Sequence, residues 1–339
     1  MSVEQGRPGQ PQEWTDLQRY VIEEHFEDYT EGRISRRVLL KRVSYITGGV
    51  AASLTVLAAL GCNVDQPRAL GSAAASATRF SPSPQPNTPF ATPPATATTD
   101  AVTVKESDPR IKQAGSVTVP AKDGAALIGY QAFPANPVKA SGILVMHENR
   151  GLTDHIKDVI RRVATAGYMG LGIDLLSRQG GVDKLGPDAY SGALANTTVD
   201  QMNADLLSAV AFIQSKAGAG ATVGGVGFCF GGGTVWNLLI AGGQLKAAVP
   251  FYGPLPSKVD GLATTKAAVF AIYAEQDTRI TQSWPTAEEQ LKKTGVPYGT
   301  KVEPGVGHAF HNDTGGPRYA PQQAQDAWVT TIDWFRKNL

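Results

Sequence analysis

The chain has 339 residues, of which 42% are hydrophobic and 18% are charged, and its formal net charge is +1. A chain of this length and composition can bury one large core, with additional residues left over at the N-terminus. The balanced charges, without a basic stripe interleaved with aromatic residues, argue against a nucleic acid as a partner.

The N-terminal segment combines a polar stretch, an arginine pair and an apolar run. The motif Ser35-Arg36-Arg37-Val38-Leu39-Leu40-Lys41 is followed by an uncharged apolar run from Val43 to Leu60. This pattern resembles a twin-arginine export signal, with Leu39 where phenylalanine is commoner. The resemblance implies that residues 1–62 direct the protein to the twin-arginine translocation machinery. A basic patch before a buried helix is the alternative interpretation.

The end of the apolar run leaves three outcomes open. Ala59-Leu60-Gly61-Cys62 approximates a lipoprotein cleavage box, in which Cys62 would be lipidated, although Ala59 stands where a larger aliphatic residue is usual. The run is also long enough for a marginal membrane span, which would leave an uncleaved anchor. Cleavage without lipidation would release the protein. We expect an exported, extracytoplasmic protein that is tethered to the membrane.

A linker separates this segment from the globular part. Residues 63–105 are dominated by Ala, Ser, Thr and Pro, including Ser81-Pro82-Ser83-Pro84-Gln85-Pro86. Such a stretch has too little apolar surface to order itself and predicts a disordered linker. A globular domain is therefore predicted over residues 106–339.

Strand-like and helix-like patterns alternate along residues 106–339. An initial hairpin followed by this alternation predicts an α/β fold with a mainly parallel sheet and helices on both faces. In such a sheet, ligands bind beyond the carboxyl ends of the strands. The predicted strands are Ser116–Val119, Ala126–Phe133, Gly142–His147, Met169–Ile173, Thr222–Phe228, Ala247–Tyr252, Ala267–Tyr273 and Gly299–Val302, and the predicted helices are Asp154–Ala166, Asp200–Ser215, Gly232–Ala241, Trp284–Thr294 and Pro321–Lys337.

A cysteine occupies the turn between a predicted strand and a predicted helix. The segment Gly227-Phe228-Cys229-Phe230-Gly231-Gly232-Gly233 has small residues on both sides of Cys229, and these permit the strained turn on which hydrolases carry a nucleophile. The chain has only one other cysteine, in the export segment, which argues against a structural disulfide. The alternative is that Cys229 is a small core residue.

An acid and a histidine follow the cysteine in the chain order nucleophile, acid, base. Asp277 comes after the strand Ala267–Tyr273, and His308 lies in a small-residue loop after the strand Gly299–Val302. In this arrangement His308 takes the thiol proton and Asp277 fixes its tautomer, while the backbone N–H of Phe230 binds the oxyanion. Taken singly, Asp277 could be a turn residue and His308 a surface residue.

These motifs identify a resemblance to the dienelactone hydrolase family of α/β hydrolases over residues 106–339. The resemblance rests on Glu148-Asn149-Arg150-Gly151, the cysteine turn, Gln276-Asp277 and Gly307-His308-Ala309-Phe310. It implies hydrolysis of an ester or lactone through a thioester on the cysteine, with neither cofactor nor metal. It also implies that Glu148 helps to generate the thiolate and that Asn149 supplies a second oxyanion N–H. The alternative for Glu148 is an ion pair with Arg150 or Arg161.

The substrate does not carry over with the resemblance. The family's prototype grips a carboxylate with two arginines, but this chain has Asn312 and Gly186 at the matching positions. Arg150 or Arg178 could substitute for them. Candidate substrate-binding residues are Arg150, Tyr252 and Phe310. The competing functions are a general carboxylesterase of the same fold and a non-catalytic surface module that binds a ligand.

Overall fold

The computed structural model describes residues 14–59 and 104–339. Cys62 and the predicted linker up to residue 103 lie outside the described residues. The described residues fall into two compact units. The first contains the N-terminal helices and Pro187–Thr197, and the second contains residues 104–186 and 198–339.

Helices and strands alternate along most of the second unit. The helices of the described chain are α1 (Asp16–Thr30), α2 (Arg36–Thr47), α3 (Val50–Ala59), α4 (Asp154–Thr165), α5 (Gly181–Leu185), α6 (Pro187–Ala195), α7 (Val199–Ala217), α8 (Phe230–Ile240), α9 (Thr278–Thr281), α10 (Trp284–Leu291) and α11 (Pro321–Asn338). The strands are β1 (Ile111–Pro120), β2 (Ala126–Pro134), β3 (Ser141–Met146), β4 (Met169–Ile173), β5 (Thr222–Phe228), β6 (Ala247–Phe251), β7 (Ala268–Ala274) and β8 (Tyr298–Glu303).

The eight strands form one sheet in the order β1-β2-β4-β3-β5-β6-β7-β8. β2 pairs antiparallel with β1 and β4, and all later pairings are parallel. Every residue of β3, β4, β6 and β7 is buried. Because neighbouring side chains of a strand point to opposite faces, helices must cover both faces. The predicted α/β fold with a mainly parallel sheet is confirmed.

Each predicted strand has a counterpart, and the differences lie at the ends. β1 begins at Ile111 rather than at Ser116, and its pairing with β2 shifts register between Ile111 and Gln113. The short helices α5, α6 and α9 were not predicted, and neither were α1 and α2. A helix of four to nine residues gives too few turns to show an apolar period.

The predicted export motif is helical in the first unit. Ser35 is the N-cap of α2, and its hydroxyl accepts the N–H of Val38 at 3.4 Å. Gly48 adopts the left-handed conformation that ends α2, so the apolar run is divided between α2 and α3. None of the helices in residues 14–59 and 104–339 has the length and apolar character of a membrane span.

Helix α6 packs against α2 within the first unit. A Cβ atom on Gly192 would lie 2.5 Å from Cβ of Tyr45, so the glycine permits this close approach. Asp188 of α6 pairs with Lys41 at 2.9 Å and with Arg42 at 3.3 Å. Lys41 belongs to the predicted export motif, so part of that motif already has a partner inside this unit.

Candidate active site

Cys229 lies on a strained turn between β5 and α8. Its backbone has φ 58° and ψ −120°, a region that is rare for residues other than glycine. The N–H of Cys229 donates to the carbonyl of Phe251 at 3.1 Å, which ties the turn to β6. The thiol is not part of a disulfide and the residue is 4% exposed. The structure therefore has a strained turn at Cys229, as the glycine pattern predicts.

The glycines around Cys229 are required by backbone packing. A Cβ atom on Gly227 would lie 2.2 Å from the carbonyl oxygen of Gly231, and one on Gly231 would lie 2.2 Å from the carbonyl oxygen of Met146. Both distances are far inside van der Waals contact. The first turn of α8 therefore lies directly against the carboxyl end of β3, which brings the residues after β3 beside the cysteine.

We expect the backbone strain at Cys229 to lower the free energy of unfolding by a measurable amount. Cys229→Ala keeps the Cβ atom in the unfavourable conformation, whereas Cys229→Gly removes it. The free energy of unfolding of the glycine variant should exceed that of the alanine variant by about 1 kcal/mol, after the entropy cost of glycine. Urea titration of the two variants measures this difference.

Ala204 in α7 supplies the matched control for this comparison. It is an exposed residue inside a regular helix, where glycine destabilises by about 1 kcal/mol relative to alanine. Ala204→Gly should therefore change stability in the opposite direction. A glycine at Cys229 that is no more stable than alanine would contradict the strain.

Asp277 and His308 form a buried hydrogen-bonded pair. Asp277 follows β7 and His308 follows β8, which are neighbouring parallel strands paired as Ala274 with Glu303 at their carboxyl ends. Nδ1 of His308 lies 2.6 Å from Oδ2 of Asp277. The sulfur of Cys229 and a ring nitrogen of His308 lie within 4.8 Å of each other. The structure therefore brings the three predicted residues together.

Glu148 extends from the carboxyl end of β3 and is 6% exposed. Its Oε2 accepts a 2.6 Å hydrogen bond from Nδ2 of Asn312. Within residues 14–59 and 104–339 no ion pair joins Glu148 to Arg161, whose guanidinium donates to the hydroxyl of Tyr130 at 2.9 Å and to the carbonyl of Val104. Glu148 is thus held by a neutral amide.

His147 is a supporting residue that the sequence argument did not single out. Its Nε2 accepts the N–H of Leu175 at 3.0 Å, so the ring proton is on Nδ1, which donates to the carbonyl of Glu148 at 2.6 Å. Burial lowers the pKa of His147, and this favours the neutral ring that both bonds require. A histidine at the end of a buried strand is the signal that could have identified it.

Two backbone N–H groups were predicted to bind an oxyanion. Phe230 is the first residue of α8, and the first N–H groups of a helix have no carbonyl within the helix to bond. Asn149 lies in the loop after β3, next to Glu148. The packing of α8 against the carboxyl end of β3 determines where Phe230 and Asn149 lie.

The candidate substrate-binding residues lie in different environments. Arg150 is exposed, whereas Tyr252 and Phe310 are fully buried. The ring of Tyr252 stands edge-on to His308 at 4.9 Å and to Phe310 at 5.5 Å, so these two aromatic residues flank the histidine. Burial and then the charge of Glu148 raise the pKa of Tyr252 well above its usual value, which keeps the phenol neutral.

Arg178, the other cationic candidate, is fully engaged elsewhere. Its guanidinium binds Asp205 at 2.7 Å and Asp123 at 2.8 Å. Hydrogen bonds to these two carboxylates raise the pKa of Arg178 above its usual value. A substrate carboxylate would therefore compete with two existing partners.

The loop that carries His308 is anchored by a second buried cluster. His311 stacks on Phe228, the residue before Cys229 in the chain, with ring centres 4.9 Å apart. Asp313 binds Nδ1 of His155 at 2.7 Å and also contacts Arg162. Burial lowers the pKa of His311 well below its usual value, so this ring packs as a neutral group.

Comparisons with known proteins agree with this geometry. The sequence profile of the Dienelactone hydrolase family matches residues 127–339. The chain is 36% identical over 241 residues to a candidate carboxymethylenebutenolidase of Methylorubrum extorquens, covering 66% of this chain and 81% of that protein. It is 29% identical over 255 residues to a candidate carboxymethylenebutenolidase of Escherichia coli K12, covering 68% and 94%. A crystal structure of a candidate dienelactone hydrolase from Klebsiella pneumoniae superposes with TM-score 0.59 and 28% identity, covering 66% of this chain and 98% of that chain.

Proposed function

The chain belongs to the dienelactone hydrolase family and is a hydrolase acting on ester bonds, and from this premise we propose that it cleaves an ester or lactone through a thioester on Cys229. The observation that carries the proposal is the 2.6 Å bond between Asp277 and His308 beside the strained cysteine turn. A buried aspartate on one ring nitrogen leaves the other nitrogen to exchange a proton with the nucleophile.

The proposed reaction has two halves that use the same groups. His308 takes the thiol proton, and the thiolate of Cys229 attacks the acyl carbon. The N–H groups of Phe230 and Asn149 bind the oxyanion of the tetrahedral intermediate. The tetrahedral intermediate then collapses to the thioester as its C–O bond breaks, and His308 protonates the alkoxide that leaves. In the second half His308 activates a water that hydrolyses the thioester, and the acid leaves.

Glu148 has a proposed role in forming the thiolate. It is buried two residues after β3, and the raised pKa of Tyr252 has contributions from both Glu148 and Cys229. A carboxylate at this place accepts the thiol proton or stabilises the imidazolium that forms when His308 accepts it.

Substrate assays distinguish the competing functions. The full chain is incubated with p-nitrophenyl esters of increasing acyl length and with enol-lactones. A higher kcat/KM for enol-lactones supports the dienelactone hydrolase activity, whereas a preference for simple esters supports a general carboxylesterase. A folded chain that turns over none of them, with a thiol unreactive toward iodoacetamide, supports a non-catalytic binding module.

We further propose that residues 1–62 act as a twin-arginine export signal. Support comes from the motif itself and from the exposure of Arg36 and Arg37 in the first turn of α2. A mature N-terminus at Cys62 that carries acyl chains would indicate a lipoprotein. Mass spectrometry of the membrane-extracted protein tests this against an uncleaved anchor.

We expect export to depend on the arginine pair. Changing both Arg36 and Arg37 to lysine keeps the charge but removes the planar guanidinium groups. The exported fraction should fall at least about tenfold, because the guanidinium fork recognises its partners through bidentate hydrogen bonds. Arg19→Lys, an exposed change in α1 outside the motif, should leave export unchanged. Cell fractionation measures both, and equal export of the double variant contradicts the signal.

A further inference from the structure

The side-chain amide of Asn312 is fixed in one orientation. Its Oδ1 accepts the backbone N–H of Thr314 at 2.9 Å and the hydroxyl of the same residue at 2.7 Å. An amide NH₂ group cannot accept a bond from a backbone N–H, so the oxygen must face Thr314. Nδ2 is therefore turned toward Glu148, to which it donates the 2.6 Å bond.

Asn312 connects two parts of the site that are distant in the sheet. Glu148 follows β3 and Asn312 lies in the loop after β8, whereas β5, β6 and β7 separate these strands. The turn at Asn312 is closed by its N–H, which donates to Ala309 at 3.0 Å, and by its carbonyl, which accepts from Gly315 at 2.9 Å. The position of Glu148 is therefore coupled to the loop that carries the catalytic histidine.

The hydrogen bond from Asn312 gives Glu148 a donor that carries no positive charge. Glu148 and Asp277 are 6% and 7% exposed, and their charges, together with that of Cys229, contribute to the raised pKa of Tyr252, so both buried carboxyl groups surround the same tyrosine as the thiol. The guanidinium that contacts the same loop, Arg162, is bound to Asp313 and to a second aspartate. A carboxylate on the acyl group would enter beside two buried acids, and the amide of Asn312 offers it no ion pair.

Resting on the proposed function, we propose that Asn312 is the positioning residue that fixes the carboxyl group of Glu148 after β3, and that the site takes esters or lactones whose acyl part has no negative charge. The neutral amide keeps Glu148 in place by its bond to Oε2. Selectivity follows because the two acids repel an anionic acyl group and leave a neutral one unaffected.

The charge of the acyl group is tested with p-nitrophenyl hexanoate and mono-p-nitrophenyl adipate, which have the same chain length and differ by a terminal carboxylate. For the full chain, kcat/KM should be at least about tenfold higher for the hexanoate, mainly through KM, and the ratio should shrink as salt rises. Asn312→Arg should lower the ratio at least about tenfold, because it adds the missing positive charge. Equal rates on both esters would overturn the inferred selectivity.

The positioning role is tested by Asn312→Leu, which removes the donor at similar volume. Without this bond the carboxyl group of Glu148 loses the donor that fixes its orientation. On the hexanoate, kcat should therefore fall about tenfold while KM changes less than about twofold, because a displaced positioning group affects the chemical step more than binding. Asn312→Gln, which keeps a donor, should recover part of the loss in kcat. A Leu variant that keeps the wild-type kcat, or that loses activity only through KM, would overturn the positioning role.

The outcomes also separate this inference from the function on which it rests. Cysteine-dependent hydrolysis of both esters at equal rates keeps the proposed function and rejects the selectivity. Failure of the folded wild-type chain to hydrolyse either ester rejects both.

Discussion

Replacing Cys229 by alanine is expected to lower kcat/KM for p-nitrophenyl esters by at least about 10⁴-fold, because the variant cannot form the acyl-enzyme. The expected loss is close to the whole of the chemical acceleration, since only the oxyanion donors and substrate binding remain. Alanine keeps the Cβ atom and the strained backbone, so the turn and its N–H groups are retained. Initial rates on p-nitrophenyl acetate, corrected for the uncatalysed reaction, measure the effect.

Cys229→Ser is the companion to this variant. It keeps a nucleophilic oxygen at the same position, but a hydroxyl is much harder to deprotonate than a thiol. We expect activity between that of the wild type and the alanine variant. Intact-mass measurement of the wild type during turnover should show an added acyl group on the peptide that contains Cys229. Full activity of the alanine variant would rule out the thioester mechanism.

Replacing Asp277 by asparagine is expected to lower kcat/KM by about 10³-fold. The aspartate accepts the proton of Nδ1 at 2.6 Å, and an asparagine in its place can turn its NH₂ group toward the ring and favour the other tautomer. The second ring nitrogen would then carry the proton and could not accept one from the thiol. The decrease should appear in kcat more than in KM.

Asp313→Asn is the matched control for Asp277→Asn. Asp313 also accepts from Nδ1 of a buried histidine, at 2.7 Å, and lies five positions after His308 in the chain. Both variants lose a buried aspartate–histidine bond, so both should lose stability. Only Asp277 is bonded to the histidine near the cysteine, and the control should lose less than about tenfold in rate. Similar losses in the two variants would mean that the effect is structural.

The double variant Cys229→Ala, Asp277→Asn provides a further check of the same mechanism. If Cys229, His308 and Asp277 act as one unit, Asp277 contributes nothing further to the rate once the thiol has been removed. The double variant should then be about as active as Cys229→Ala alone, with no additional 10³-fold loss. Multiplying effects would indicate that Asp277 acts independently of the cysteine.

The central strands were predictable because they are buried on both faces. Such strands appear in the sequence as short continuous apolar runs, and β4 and β5 begin and end where the pattern predicts. The N-terminal helices α1 and α2 were not predicted. The composition of α1 is largely polar, and its capping box of Thr15 and Gln18 was not recognised; three of its apolar residues, Tyr20, Val21 and Ile22, are buried.

The candidate site was predictable to the level of strand ends. Chain order places Cys229, Asp277 and His308 after β5, β7 and β8, and the glycines identify the turn at Cys229 as a strained one. The contact of Asn312 with Glu148 was beyond this reasoning, since 164 positions separate the two residues in the chain. A contact between residues so far apart in the chain leaves no periodic pattern in the sequence.

The strands, the strained turn and the chain order of the three candidate residues could be inferred without a structure, because each depends on local backbone preference or on short apolar patterns. Which side chains meet depends on tertiary packing. The adjacency of β7 and β8 brings Asp277 to His308, and the turn after β8 carries the Asn312 amide to Glu148. These contacts depend on how strands pair and how loops close across the sheet, where the energetic terms are long-range and leave no signature in neighbouring residues.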